Sequence, residues 1–155
     1  MILEKTVLRE SVPEDRAGIL AVQRRAFEND DEANLVERLL DAPVETISMI
    51  AELDGMIIGH VLLSELGGPE RTLALAPMAA DPQWQGFGIG TALARHAIEQ
   101  AAAQGWHAIF VVGDPQYYER FGFRASLAES RNPVSPGLMS RALATSTSRL
   151  LHSQE

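Results

Sequence analysis

Apolar and polar positions along this chain follow two periods, and the places where the period changes mark the elements. Residues 2–9 (Ile2 to Arg9) mix the two classes as an edge strand does. Ser11-Val12-Pro13-Glu14 then reads as a capping box, in which Ser11 accepts from the backbone and Glu14 reaches back. Pro13 suits the first helical turn. Ile19, Leu20, Val22, Ala26 and Phe27 continue as a helical stripe. Asn29-Asp30-Asp31-Glu32 opens a second helix that buries Leu35, Val36, Leu39 and Leu40.

The middle of the chain switches to β. Residues 46–53 and 56–63 are apolar and β-branched, with Asp54-Gly55 between them. That pair predicts a two-residue hairpin, because a type I′ turn needs positive φ at both central positions. Leu73, Leu75 and Pro77 alternate in a third strand, and pairing should fail or bulge at Pro77, which has no N–H to give. Asp81-Pro82 ends that strand. Ile89, Leu93, Ala97 and Ala101 then recur every four residues, with Gly105 placed to cap the helix end.

Residues 107–112 read as a buried strand. Asp114-Pro115 predicts a helix N-cap and first turn, with the helix running to Phe121 and stopping at Gly122. A short strand is expected over Phe123 to Ser126. Pro133, Pro136 and Gly137 mark a loop, and residues 138–144 return as a last strand. The final ten residues read as frayed. The order of elements predicts a mixed α/β fold of the α+β kind, with a mostly antiparallel sheet, a parallel part and flanking helices. At 155 residues the chain is expected to be one domain, 1–155, atypical from about residue 145.

Composition narrows the partners. There is no cysteine, which excludes disulfides, thiolate metal sites and a Cys nucleophile and fits the reducing cytoplasm. Met1-Ile2-Leu3-Glu4-Lys5 carries no basic region followed by a long apolar one, and no apolar run approaches the ~20 residues of a membrane span. With 13 basic and 21 acidic residues the net charge is −8, and Lys5 is the only lysine. Nucleic acid and anionic membranes are therefore poor partners. The four histidines show no metal-ligand spacing, and no metal is expected.

The chemistry is concentrated in Gln85-Gly86-Phe87-Gly88-Ile89-Gly90-Thr91, immediately before the long helix. A helix start leaves about four N–H groups without intrahelical partners, and the helix dipole adds partial positive charge there. Glycines at 86, 88 and 90 would let an anion reach the backbone itself. The other reading of the same pattern is a tight turn packed closely on the sheet. A Walker loop is excluded because no lysine is present in this stretch. The dinucleotide fingerprint fails because Leu93 stands where its third glycine belongs. No G-x-S-x-G elbow for a serine hydrolase occurs.

Gln85-x-x-Gly88-x-Gly90, preceded by Leu75-Ala76-Pro77-Met78-Ala79, resembles the acetyl-CoA signature of the GNAT superfamily of N-acetyltransferases. Asp114-Pro115-Gln116-Tyr117-Tyr118-Glu119-Arg120-Phe121-Gly122-Phe123 is similar to the matching segment of its YhbS-type members, and the resemblance covers roughly residues 1–127. It implies a GNAT-like acyl-CoA N-acyltransferase fold with the sheet splayed at the CoA site. It implies that Gln85, Gly86, Phe87, Gly88, Ile89, Gly90 and Thr91 hold the CoA pyrophosphate. Met78, Ala79 and Ala80 would pair with the pantetheine arm. Tyr118, four residues before the Gly-Phe pair, would protonate the leaving thiolate, a task that suits a neutral phenol. Tyr117 reads as packing or substrate contact.

The implied activity is direct transfer of an acetyl group from acetyl-CoA to a primary amine of a small molecule or peptide. A backbone N–H near Met78 or Ala79 would polarise the thioester. Glu28, Glu65, Glu70 and His60 are conceivable bases, although His60 lies in an apolar strand and also reads as a structural histidine. A non-catalytic acyl-CoA-binding or sensor module on the same fold is the alternative. The expected state is a monomer or homodimer. Residues 145–155 do not resemble the usual family ending, which leaves the acceptor side less defined than the CoA side.

Overall fold

The computed structural model describes residues 2–67, 70–124 and 138–142. Hydrogen bonding orders six strands as β1-β2-β3-β4-β5-β6. They are β1 (Val7–Glu10), β2 (Thr46–Leu53), β3 (Met56–Glu65), β4 (Thr72–Ala80), β5 (Ala108–Val112) and β6 (Leu138–Ala142). The helices are α1 (Ile2–Lys5), α2 (Arg16–Phe27), α3 (Asp31–Asp41), α4 (Ile89–Ala103) and α5 (Pro115–Glu119). β1–β2, β2–β3 and β5–β6 pair antiparallel and β4–β5 parallel, the mixture that the element order predicts. Two compact units divide the chain: residues 1–64 with 77–97, and residues 65–76 with those from 98 onward.

In the first unit the Asp54-Gly55 hairpin forms as predicted, with φ of 51° and 82° and Leu53 paired to Met56. Alternate residues of this hairpin serve opposite faces. On one face Ile50 and Leu62 form a core with Ile19 and Leu20 of α2 and Ala33 and Val36 of α3. On the other, the start of α4 lies close to the sheet, because a Cβ at Gly59 would fall 2.8 Å from Leu93 Cδ1 and 2.9 Å from Ile89 Cγ2. Gly59 thus sets how near the glycine-rich turn ahead of α4 can come to β3.

Two readings of the first residues are corrected. The strand expected over residues 2–9 is only Val7–Glu10, because Ile2–Lys5 curls into one helical turn closed by Thr6 Oγ1 donating to the Ile2 carbonyl at 2.7 Å. The capping box falls one residue later than Ser11-x-x-Glu14. Val12 N–H donates to Asp15 Oδ2 at 2.8 Å, and Asp15 N–H donates to the Val12 carbonyl at 2.9 Å. Asp15 takes this place because Arg9 already holds its carboxylate through two hydrogen bonds. Ser11 Oγ is instead bonded to Ser48 Oγ, at 2.8 Å.

In the second unit β4 and β5 share a register from Thr72–Ala108 to Leu75–Val111, ending two residues before Pro77. α4 ends as Gly105 predicts: Trp106 N–H donates to the Ala101 carbonyl and Gly105 N–H to that of Ala102, both at 3.1 Å, satisfying carbonyls the helix leaves open. β5 begins at Ala108, one residue later than expected, and α5 stops at Glu119, two residues short of Phe121. The last strand appears over Leu138–Ala142. The strand expected over Phe123–Ser126 lies partly outside the described residues, and the 133–137 loop and the tail from 145 wholly so.

Candidate active site

The glycine-rich turn is built from its two ends. β4 delivers Asp81, whose N–H donates to the Ile58 carbonyl at 2.8 Å. Pro82–Trp84 then form a short 3-10 turn capped by Asp81 Oδ1, which accepts from Gln83 N–H at 2.9 Å. Arg25 of α2 donates from Nε to Asp81 Oδ2 at 2.9 Å, and the same pair closes to 2.8 Å through Nη2. Asp81 is buried and so needs this cation. Gln85 Nε2 donates back to the Ala80 carbonyl at 3.1 Å, tying the turn to the strand end. Trp84 and Phe87 meet edge to face at 6.1 Å.

Gly86 and Gly88 have φ of 90° and 86°, a conformation that side chains rarely adopt. Gln85, Gly86, Phe87 and Gly88 are exposed or half-buried, and a Cβ built on Gly86 would meet nothing within 4 Å. The ladder of α4 begins with Ala92 N–H donating to the Gly88 carbonyl at 3.0 Å, so the amides of Ile89 and Gly90 ahead of it have no acceptor inside the helix. Ile89 turns its side chain into the core. Exposed main-chain donors at the positive end of a 15-residue helix are the ingredients of an anion site. Met78, Ala79 and Ala80 stand on the same unit, at the end of β4 that leads into this turn.

Sequence reasoning reads Asp81 only as a strand breaker and does not single out Arg25. The signal was present: Asp-Pro marks the start of α5, and the same pair at 81–82 marks a cap by the same physics.

Tyr118 belongs to the second unit. Asp114 caps its helix, accepting from Gln116 N–H at 3.0 Å. The Tyr118 ring contacts Tyr117, Phe121 and Phe123 with centroids 5.0, 6.2 and 5.7 Å away. It also lies against Gly113, where a Cβ would fall 2.5 Å from the ring, so this glycine makes room for the tyrosine. Burial raises the phenol pKa above its ordinary value, and the neighbouring Tyr117 adds to the shift. Arg120 stacks over Tyr117 at 4.6 Å, giving that ring a packing role.

The proposed bases separate. His60 is fully buried, with Nδ1 2.9 Å from Gln23 Nε2 and Nε2 2.9 Å from Ser48 Oγ. Desolvation lowers its pKa to about 3. A ring enclosed in this way acts as a structural tie between α2 and the sheet. Glu65 and Glu70 fall in the second unit, while Glu28 is exposed at the end of α2 in the first. Among the described residues no group of three or more His, Asp or Glu side chains is placed to hold a metal ion, and no helix is long and apolar enough to cross a membrane.

Residues 16–123 match the model of the Acetyltransferase (GNAT) family. The chain is 35% identical over 121 residues to the N-acetyltransferase YhbS of Escherichia coli K12, covering 76% of this chain and 72% of that protein. The crystal structure of Escherichia coli YhbS in complex with CoA superposes with a TM-score of 0.83 at 31% identity, covering 90% of this chain and 82% of that one. A GNAT acetyltransferase of Brucella melitensis in complex with acetyl-CoA gives 0.77 at 32% identity, over 88% and 87% of the two chains. The match spans more than half of the sequence and includes both the glycine turn and the Tyr118 segment, so this chain belongs to the Acetyltransferase (GNAT) family.

Proposed function

We propose that this chain is an acetyl-CoA-dependent N-acetyltransferase that acylates a primary amine of a small molecule or peptide. The observation that carries the reading is the open turn at Gly86 and Gly88, whose amides precede the hydrogen-bond ladder of α4. Acetyl-CoA supplies an acyl group already activated as a thioester. The amides from Gln85 to Thr91 hold its pyrophosphate, and Met78, Ala79 and Ala80 offer backbone groups to the pantetheine arm. A main-chain N–H near Met78 or Ala79 polarises the acyl oxygen. The neutral amine attacks the acyl carbon, the C–S bond breaks, Tyr118 gives its phenolic proton to the departing sulfur, and the proton shed by the attacking nitrogen passes to solvent, from which the phenolate is reprotonated. A phenol shifted upward by burial is protonated at neutral pH, which supports that donor role.

Thiol release from acetyl-CoA, measured over a panel of primary amines, tests the reading. Release that requires an amine supports it. Binding of CoA without turnover on any amine favours a non-catalytic CoA-binding module, and a melting temperature unmoved by CoA removes the phosphate site altogether. Tyr118→Phe is expected to lower kcat by about 10²–10⁴-fold while the Kd for CoA stays the same. An equally active variant would leave the ring as packing only.

A further inference from the structure

The polar residues packed between α2 and the sheet form one row. Gln23 Nε2 lies 2.9 Å from His60 Nδ1, His60 Nε2 lies 2.9 Å from Ser48 Oγ, and Ser48 Oγ lies 2.8 Å from Ser11 Oγ. An amide nitrogen only donates, so Nδ1 accepts and the neutral ring keeps its proton on Nε2. That proton goes to Ser48, whose own hydroxyl then donates to Ser11. Gln23, His60 and Ser48 are buried, whereas Ser11 is half-buried. The Ser11 O–H is therefore the outer end of the row, and it is a donor.

Ser11 lines a cavity of about 260 Å³ together with Glu10 and Arg16, which carry opposite charges. Arg16 is bonded from Nη2 to Asp41 Oδ1 at 3.1 Å, and among the described residues no ion pair joins it to Glu10. Asp41 is largely exposed, so that bond is a surface pair and holds Arg16 weakly. Thr46 adds a second hydroxyl to the cavity, and Val12 and Leu40 an apolar wall. A space below the about 300–1,000 Å³ of drug-sized sites suits one small metabolite. Glu10 repels a simple anion and Arg16 a simple cation, whereas a molecule with both charges and a short apolar chain satisfies every wall. The cavity is remote from the glycine turn. Asp81 is bonded to the Ile58 carbonyl, while Thr46 pairs with Ser64 at the other end of β3, about 20 Å along the strand. We infer that this cavity binds a free α-amino acid with a branched apolar side chain, its carboxylate on Arg16 and the Ser11 hydroxyl and its ammonium on Glu10. The site is independent of the acetyltransferase reading.

The experiment titrates the full chain calorimetrically, without acetyl-CoA, using L-leucine, 4-methylpentanoate (which lacks the ammonium) and 3-methylbutylamine (which lacks the carboxylate). Leucine should bind once per chain, and each analogue at least about tenfold more weakly. Arg16→Gln and Glu10→Gln should each weaken leucine about tenfold, and without ligand both should melt within about 2–4 °C of the wild type. In NMR of the wild type, leucine should shift the His60 ring resonances through Ser11 and Ser48 and leave the Gly88 amide in place. No binding of leucine overturns the inference. So does an analogue that binds as tightly as leucine, because one charge would then suffice, and so does wild-type affinity in either variant. A leucine response at Gly88 without one at His60 overturns it as well, by placing the ligand in the coenzyme turn. The analogue comparison needs no variant, so a variant that fails to fold leaves the test intact. None of these outcomes bears on acetyl transfer, which thiol release decides separately.

Discussion

The buried histidine gives a pH prediction whose sign and size follow from its surroundings. His60 is enclosed between Gln23 and Ser48 and stays neutral in the folded state until pH nears about 3. In the unfolded chain it titrates near 6.5. Below 6.5 the unfolded state therefore binds a proton that the folded state refuses. The resulting stability is fully present above pH 6.5 and is lost as pH falls toward the folded value. Between pH 7.5 and pH 5.5 the proton binding of the unfolded ring changes its weight tenfold, so the step should cost about 1.4 kcal/mol through this residue alone, or about 3–5 °C in Tm. Chemical denaturation at both pH values, in the wild type and in His60→Gln, isolates the term. Other groups titrate in both proteins and cancel in the difference, so the wild type should lose about 1.4 kcal/mol more. NMR of the wild type checks the premise without a variant: the His60 ring resonances should not shift between pH 7.5 and 5.5. Parallel losses in the two proteins, or a His60 titration near pH 6, would refute the reasoning.

Two further perturbations test the turn. Gly88→Ala places a Cβ 3.7 Å from Leu3 Cδ2, an ordinary contact, so its cost of about 1–2 kcal/mol should come from φ rather than from a clash. CoA titration should show weaker binding as well, and unchanged stability and affinity would contradict the backbone reading of that position. Asp81→Asn keeps the acceptor for Gln83 N–H but presents an amide to the Arg25 guanidinium; a loss of about 1–2 kcal/mol in denaturant and a higher Kd for CoA are expected, and wild-type values in both would show that the pair does not hold the turn.

Much of the frame was legible because it depends on neighbours in sequence. Asp54-Gly55 dictated its turn, the four-residue recurrence of Ile89, Leu93, Ala97 and Ala101 dictated the buried face of α4, and Gly105 dictated its end. The glycine pattern located the turn, and Gly86 and Gly88 take a positive φ that favours glycine, a requirement the spacing alone did not show. What escaped was set by partners distant in sequence. Ser11 was drawn from its capping role by Ser48, 37 residues away, and Asp15 took over because Arg9 reached it. The Arg25–Asp81 pair spans 56 residues, and nothing local to either residue announces it. The one-turn helix at Ile2–Lys5 escaped for the opposite reason, since four residues are too few for a period to declare itself.

Peptide amides are common to every residue, so an anion grip made from them asks little of the side chains around it. If the amides at 86 and 88 hold the anion as proposed, the grip requires only that nothing project over the donors. The rest of the surface is free to drift, and such a domain could acquire new acceptors by exchanging residues elsewhere while its hold on a nucleotide-linked donor stays constant. Inheritance of the donor is then decoupled from divergence of the recipient.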